Sequence, residues 1–175
     1  MPRTFNYCPY CGLEGIAFDR IKEYHCTSCE FTYFHNVAAA VGTILECSGK
    51  IVLIKRKQEP GKGLLDLPGG FVDPGEAAEE AARREIREEV KIDVDTLQYL
   101  GSCPNTYEFK DVCYNSCDLL FYSKIDAFPT EFDETEVTEL VLMDPREIQD
   151  DEIAFESIKM GLRLFRRLCD SGHFS

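Results

Sequence analysis

The 175-residue chain contains no tryptophan, so any flat apolar surface for stacking must come from its eight tyrosines and twelve phenylalanines. It has no run of about 18 apolar residues, so no helical membrane span is expected. Its first eleven residues, MPRTFNYCPYC, lack the apolar segment of a secretion signal, and the expected location is the cytoplasm. Positive charge is scarce: 19 Lys and Arg stand against 32 Asp and Glu, a formal net charge of -13. Nucleic-acid backbones are bound by clustered Lys and Arg, so nucleic acid is not expected as the main partner. An acidic protein can still bind a small anion if cations neutralise the charge locally. Long low-complexity tracts are missing too, and 44% of the residues are apolar, enough for one good-sized core plus a small appendage.

Carboxylates are plentiful, and they concentrate between Gly70 and Ile92. Glu85, Glu88 and Glu89 fall at i, i+3 and i+4, which on a helix places all three on one face. Like charges this close repel, by roughly a few tenths of a kcal/mol for an i,i+4 pair on an isolated helix. Such a trio calls for a cation, and carboxylate oxygens suit Mg²⁺ or Mn²⁺. Asp73-Pro74-Gly75-Glu76 predicts a helix start near residues 73–76, with Asp73 as the cap and Pro74 in the first turn. Ala78, Ala82, Ile86 and Val90 form an apolar stripe beside the carboxylates. Arg84, four residues before Glu88, is placed to hold a glutamate and offset repulsion.

The full spacing is Gly70, five residues, Glu76, seven residues, then Arg84-Glu85-Ile86-Arg87-Glu88-Glu89, preceded by Leu67-Pro68-Gly69. It closely resembles the signature of the Nudix hydrolases. One position departs from the family pattern, which has Gly where Lys91 stands. Gly there suits a left-handed helix end, which another residue adopts at a cost of about 1 kcal/mol. The departure bears on the helix end and not on the metal ligands.

The resemblance implies an α+β fold, an α/β/α sandwich with a mixed sheet over residues 37–175. It implies Mg²⁺- or Mn²⁺-dependent hydrolysis of the diphosphate bond in a nucleoside diphosphate linked to another moiety, and a homodimer. It also adds the Gly70 carbonyl to Glu85, Glu88 and Glu89 as a metal ligand. A carboxylate must take a proton from the attacking water, and Glu89, Glu136 and Glu139 are the candidates. Lys55 and Arg56, in KIVLIKRK, are candidates to meet a substrate phosphate, with ordinary solvated edge charge as the alternative.

Four of the nine cysteines form Cys8-x2-Cys11 and Cys26-x2-Cys29, with fourteen residues between the pairs. A redox dithiol or disulfides would use the same residues, but two such pairs this close favour a four-thiolate structural Zn²⁺ site. Residues 1–36 therefore read as a zinc ribbon. The remaining Cys47, Cys103, Cys113, Cys117 and Cys169 read as small buried apolar residues.

A zinc ribbon ahead of a Nudix domain is similar to the NADH pyrophosphatase branch, which carries Ser-Gln-Pro-Trp where this chain has Ser102-Cys103-Pro104-Asn105. With Gln and Trp absent, Tyr107, Phe109 or another ring has to supply base stacking, and ADP-ribose or another ADP-linked metabolite is as good a substrate as NADH. Two alternatives stand beside this. One is a nucleoside triphosphate pyrophosphohydrolase; the other is a non-catalytic nucleotide sensor, against which the intact glutamates argue. Strands are expected at 37–45, 50–57, 96–102, 112–125 and 137–143, with a break at Pro104-Asn105-Thr106. A helical turn from Asp144 and a final helix over 153–169 complete the pattern.

Overall fold

The computed structural model describes residues 5–109, 112–172 and 174. Three short strands, β1 (Ile16–Phe18), β2 (Glu23–Cys26) and β3 (Thr32–Phe34), pair antiparallel in the order β1-β2-β3. The Asp19 carboxylate accepts the backbone N–H groups of Ile21, Lys22 and Glu23 at 2.7, 2.8 and 3.0 Å and closes the turn between β1 and β2. Tyr24 is buried in this small sheet, with Phe18 stacked on it at 4.4 Å and Phe5 edge-on at 5.2 Å.

The second sheet contains β4 (Ala38–Cys47), β5 (Lys50–Arg56), β6 (Leu65–Asp66), β7 (Gly69–Phe71), β8 (Gln98–Phe109), β9 (Val112–Lys124) and β10 (Val137–Met143). Its path is β10-β5-β4-β9-β8, with β6 on β5 and β7 on β4. Ser48 and Gly49, at φ 53 and 79, form the tight turn between β4 and β5, a left-handed pair that matches strand twist. β4 is antiparallel to β5 and parallel to β9, so the sheet is mixed.

Strand alternation sends neighbouring side chains to opposite layers. Ile44, Ile51, Leu53 and Leu120 pack with Ile158, Leu162 and Phe165 of helix α2 (Glu156–Asp170). On the other face, Leu45, Val52 and Ile54 pack with Ile86 and Val90 of helix α1 (Ala78–Val90), and Val41 and Phe121 pack with Ala81 and Ala82. The result is the expected α/β/α sandwich. α2 lies so close to the sheet that a Cβ at Gly161 would come within 2.2 Å of Leu120.

Four local expectations need correction. α1 starts at Ala78 and not at 73–76, because Gly75 takes φ 87, a left-handed conformation outside the helix. The Asp73–Glu76 segment closes as its own turn, Glu76 N–H to the Asp73 carbonyl at 3.1 Å, and Glu80 Oε2 accepts the Ala77 N–H at 2.8 Å to open the helix. β8 runs through Pro104, which pairs with Cys117; β8 is an edge strand, where a proline can sit without removing a ladder hydrogen bond. α2 begins at Glu156, after a 3-10 turn at Asp150–Glu152. Finally, Cys117 is exposed, since Ser116 and Asp118 take the inward positions on either side of it on β9, and Cys113 and Cys169, the latter near the end of α2, are only half-buried. The α1 end resolves plainly: Lys91 adopts the left-handed conformation, φ 56 and ψ 31, that the family pattern assigns to glycine.

Candidate active site

β7 pairs with the first half of β4, Val41 opposite Gly70 and Gly42 opposite Gly69. A Cβ on Gly69 would sit 2.1 Å from the Val41 carbonyl oxygen, and one on Gly70 would sit 2.4 Å from Glu85 Oε1. Two bare backbones therefore let β7 lie directly against the carboxylate face of α1. The Gly69 N–H donates to Glu89 Oε2 at 2.8 Å. Arg84 donates to Glu85 at 2.7 Å, to Glu88 at 3.1 Å, to both oxygens of Glu76 at 2.9 and 3.0 Å, and to the Phe71 carbonyl at 3.0 Å. The Asp133 N–H donates to the Glu89 backbone carbonyl at 2.9 Å and carries the loop before β10, with Glu136, to the same place. Glu85, Glu88, Glu89, Glu136, Gly69 and Gly70 line one cavity of about 530 Å³.

Charge is only partly balanced there. Burial pushes the Glu89 carboxyl well above its usual range; the Gly69 N–H opposes this, and the charges on Asp66, Glu85 and Glu136 add to it. Burial also raises Glu85, with Arg84 opposing and Glu88 and Glu136 adding. Arg84 hydrogen bonds lower Glu76 instead. A carboxylate face that runs from buried Glu89 through half-buried Glu85 to exposed Glu88, with the Arg84 guanidinium at its edge, is a hard-oxygen donor set, which fits Mg²⁺ or Mn²⁺.

A second cavity, about 230 Å³, shares Gly69, Gly70, Phe71, Glu89 and Glu136 with the first and runs on to Arg56, Asp66, Tyr107, Asp118 and Phe155. Arg56 Nη1 donates to Asp66 at 2.9 Å and Nε to the Pro60 carbonyl at 2.8 Å, and the guanidinium lies 4.8 Å from the Phe155 ring centroid. Burial pushes Asp66 up to about 6, with Arg56 opposing and Asp118 adding. Tyr107 sits 5.9 Å from Phe71 and 6.2 Å from Phe155. A larger cavity, about 680 Å³, lies at the other end of the sheet under Tyr122, Phe165 and Phe174, away from these residues.

The structure thus brings Gly70, Arg84, Glu85, Glu88, Glu89 and Glu136 together, with Arg56 and Tyr107 in the adjoining cavity. Lys55 and Glu139 lie elsewhere. They are partners across β5 and β10, with exposed side chains 3.6 Å apart, because alternation turns Lys55 out where Arg56 turns in. The side chain of Phe109 is outside the described residues. Sequence reasoning missed Asp66, Asp118, Ser116 and Phe155. The two aspartates had a signal, a lone charge inside an apolar run, in LLDLPGG and SCDLLFY.

In the small sheet, the sulfurs of Cys8, Cys11, Cys26 and Cys29 all lie within 4.8 Å of one another, with Cys8 and Cys29 at 3.8 Å and Cys11 and Cys26 at 3.8 Å. The N–H groups of Tyr10 and Cys11 point at Cys8 Sγ, and that of Ser28 at Cys26 Sγ. The Ser28 amide helps hold the Cys26 thiol down to about 6, whereas Cys29, despite the Phe31 amide, is pushed up to about 12 by burial and neighbouring sulfurs. The cluster is compatible with a small zinc ribbon.

The NUDIX domain family matches residues 34–164. The chain belongs to this family. It is 32% identical over 100 residues to the NAD-capped RNA hydrolase NudC of Pseudomonas fluorescens (strain Pf0-1), covering 57% of this chain and 36% of that protein. It is 51% identical over 69 residues to the ADP-ribose pyrophosphatase of Methanocaldococcus jannaschii, covering 39% of this chain and 40% of the relative. The matches thus span well under half the length of these curated relatives. A Nudix hydrolase crystal structure from Nitrosomonas europaea superimposes with TM-score 0.66 at 25% identity, over 97% of this chain and 93% of that one. The Nudix domain of Shewanella oneidensis NrtR, crystallised with ADP ribose, shares the fold at TM-score 0.63 and 19% identity, over 77% of this chain and 89% of that one. Family and named hydrolase relatives together support an enzyme. Among the described residues, no helix is long and apolar enough to cross a membrane.

Proposed function

We propose that this Nudix chain uses Mg²⁺ or Mn²⁺ to hydrolyse the diphosphate bond of an ADP-linked metabolite, ADP-ribose or an NADH-like compound. The observation that carries the reading is the joining of two cavities through Gly69, Gly70, Phe71, Glu89 and Glu136: one is lined by carboxylates, the other by rings and a guanidinium. The first suits the diphosphate and its cation, the second a base. The ADP-ribose pyrophosphatase relative and the NrtR domain crystallised with ADP ribose support this choice of substrate, and the NudC relatives support an NAD-derived one.

Glu85, Glu88, Glu89 and the Gly70 carbonyl would hold the cation. When bound, it supplies Lewis acidity to phosphoryl oxygens and makes water acidic enough to attack near neutral pH. Arg84 fixes Glu85 and Glu88 and offsets their repulsion. Glu136 and Glu89, which line the same cavity, are the groups to take the proton from water. The guanidinium N–H groups of Arg56 beyond those given to Asp66 and Pro60 reach for phosphate, and Tyr107, Phe71 and Phe155 stack the base. Residues 1–36 form a ribbon whose four cysteines hold Zn²⁺ in a closed, structural shell, and residues 37–175 carry the chemistry.

The test is hydrolysis by the purified chain with Mg²⁺ or Mn²⁺ of ADP-ribose, NADH, NAD⁺ and deoxynucleoside triphosphates, with products separated by chromatography. AMP should appear from an ADP-linked compound. Glu89→Gln should lose about 10²-fold or more in turnover with an unchanged melting curve. Turnover of triphosphates alone replaces the reading. A Glu89→Gln variant with more than about a tenth of wild-type rate removes Glu89 from the machinery.

A further inference from the structure

Among the described residues Asp118 is, with Asp66 and Glu89, one of three buried charged side chains, 7% exposed, and it lines the ring-walled cavity. Its two oxygens each receive a hydroxyl: Ser116 Oγ donates at 2.6 Å and Ser157 Oγ at 2.5 Å. A serine hydroxyl has one proton to give, so both protons are committed to the carboxylate and the oxygens left over can only accept. Arg56, the guanidinium that lines the same cavity, gives its Nε to the Pro60 carbonyl and its Nη1 to Asp66, not to Asp118. Asn105, at the rim, offers either sense. The floor of the cavity, Asp118 with Ser116, is therefore a patch of acceptors under a set of aromatic walls.

Pinning α2 to the sheet does not account for this arrangement. The bond from Ser157, fully buried at the second position of α2, already ties that helix to Asp118 on β9. Ser116 adds nothing to that tie, and it lines the cavity beside the carboxylate. An acceptor floor is complementary to an N–H donor and repels a carbonyl oxygen, which would leave both sides without a partner in a partly desolvated site.

We propose that Asp118, backed by Ser116, is a specificity residue that selects a nucleobase presenting an amino group, adenine, over the same ring presenting a keto oxygen, hypoxanthine. The proposal rests on the hydrolase reading above and narrows its substrate class. Adenine and hypoxanthine share outline and stacking surface but reverse the hydrogen-bond sense of one edge, amino against keto at C6 and bare nitrogen against N–H at N1, so the pair tests hydrogen-bond sense at constant shape, and the C6 group is the one the proposal sets against Asp118. Sites built to pair a substrate N–H discriminate strongly against an analogue that cannot supply it.

The experiment compares kcat/KM for ADP-ribose and inosine diphosphate ribose in wild type, Asp118→Asn, Ser116→Ala and Ser157→Ala. Calorimetric binding of AMP and IMP is measured on the same four proteins. Wild type should favour the adenine compound at least about tenfold. Asp118→Asn, whose amide can turn its NH₂ toward a keto oxygen, should bring the ratio to within about threefold of one. Ser116→Ala removes an acceptor without touching Ser157 and should lower the ratio severalfold; it carries the test if Asp118→Asn does not fold. Ser157→Ala should lower the melting temperature and leave the ratio where it was. A wild-type ratio near one overturns the proposal. So does a set of variants that lowers both substrates equally, since a merely structural Asp118 would do that. If no ADP-linked compound is cleaved, the hydrolase reading falls by itself. The AMP and IMP affinities then decide: a preference for AMP that Asp118→Asn abolishes upholds the proposal, and equal affinities overturn it.

Discussion

The small sheet and the sandwich reach order by opposite means. Between Phe5 and Phe34 the buried apolar residues are Cys8, Tyr24 and Cys26, two of them thiols, while Tyr7, Tyr10, Leu13, Ile21 and Phe34 stay exposed. Strands of three, four and three residues cannot enclose a core, so the sulfurs must stand in for one. In the sandwich the relation is reversed. Ala82, Ile86 and Val90 of α1 are fully buried, and this packing holds the adjoining face of the helix in place while it carries repelling carboxylates. A ligand set can therefore be the framework of a fold or a burden that the framework bears.

Stripping the Zn²⁺ proposed for the four cysteines separates the two cases and should give the largest effect. A structural four-thiolate zinc site contributes on the order of 10 kcal/mol to its module, so Cys26→Ser, or a strong chelator, should free the amides of residues 5–34 to exchange. The amides of β4 and β9 should stay protected. Uniform loss of protection would break the comparison. The converse cut is Phe165→Ala, which empties a site 2% exposed and packed on Tyr122 at 5.6 Å. It should cost the sandwich about 3–5 kcal/mol in denaturant unfolding and leave the thiol reactivity of the four cysteines unchanged.

A smaller effect sharpens the contrast at Asp66. Its carboxyl is raised by burial from 3.8 to about 6, so the folded chain holds that proton more tightly than the unfolded one. Its contribution to stability is present below the unfolded value and is lost as pH climbs from 3.8 through about 6. The loss amounts to at most about 3 kcal/mol. Asp66→Asn should remove this slope from unfolding free energies measured between pH 4 and 7, on top of a constant cost from leaving Arg56 without its carboxylate. An unchanged slope would assign the pH dependence to other groups. Smallest of all, Glu139→Gln breaks an exposed pair with Lys55 and should shift stability by less than about 1 kcal/mol, with kcat/KM unaltered. A large loss of activity would return Glu139 to the site.

Periodicity made most of the sandwich legible. The apolar stripe of α1, the hairpin around Ser48 and Gly49, and the strands ending near Met143 all announce themselves within a dozen residues. So did the carboxylate face, because its spacing is local. Pro104 misled because a proline breaks a central strand but not an edge, and edge position belongs to the assembled sheet. Asp66, Asp118 and Phe155 escaped for a related reason: they converge from three segments about forty to fifty residues apart, and each alone is one polar or aromatic side chain without a pattern. The separation of Arg56 from Lys55 needed the pairing register, which decides the side of the sheet each residue takes, and that of Glu136 from Glu139 needed the strand start, since Glu136 lies in the loop just before β10 and Glu139 inside it.

The parallel pairing of β4 with β9 carries a consequence for how the protein is made. Its register, from Ala38 opposite Ser116 to Glu46 opposite Lys124, joins stretches more than seventy residues apart at the centre of the sheet. During synthesis the β4–β5 hairpin leaves the ribosome with its inner edge unpaired, several seconds before its neighbour is translated at roughly 5–20 residues per second. That edge, with Ile44 and Leu45 beside it, is a template for any other extended chain in the interval. Folding of this protein is gated by long-range closure, and its yield in a crowded cell depends on how well the nascent edge is shielded until β9 arrives.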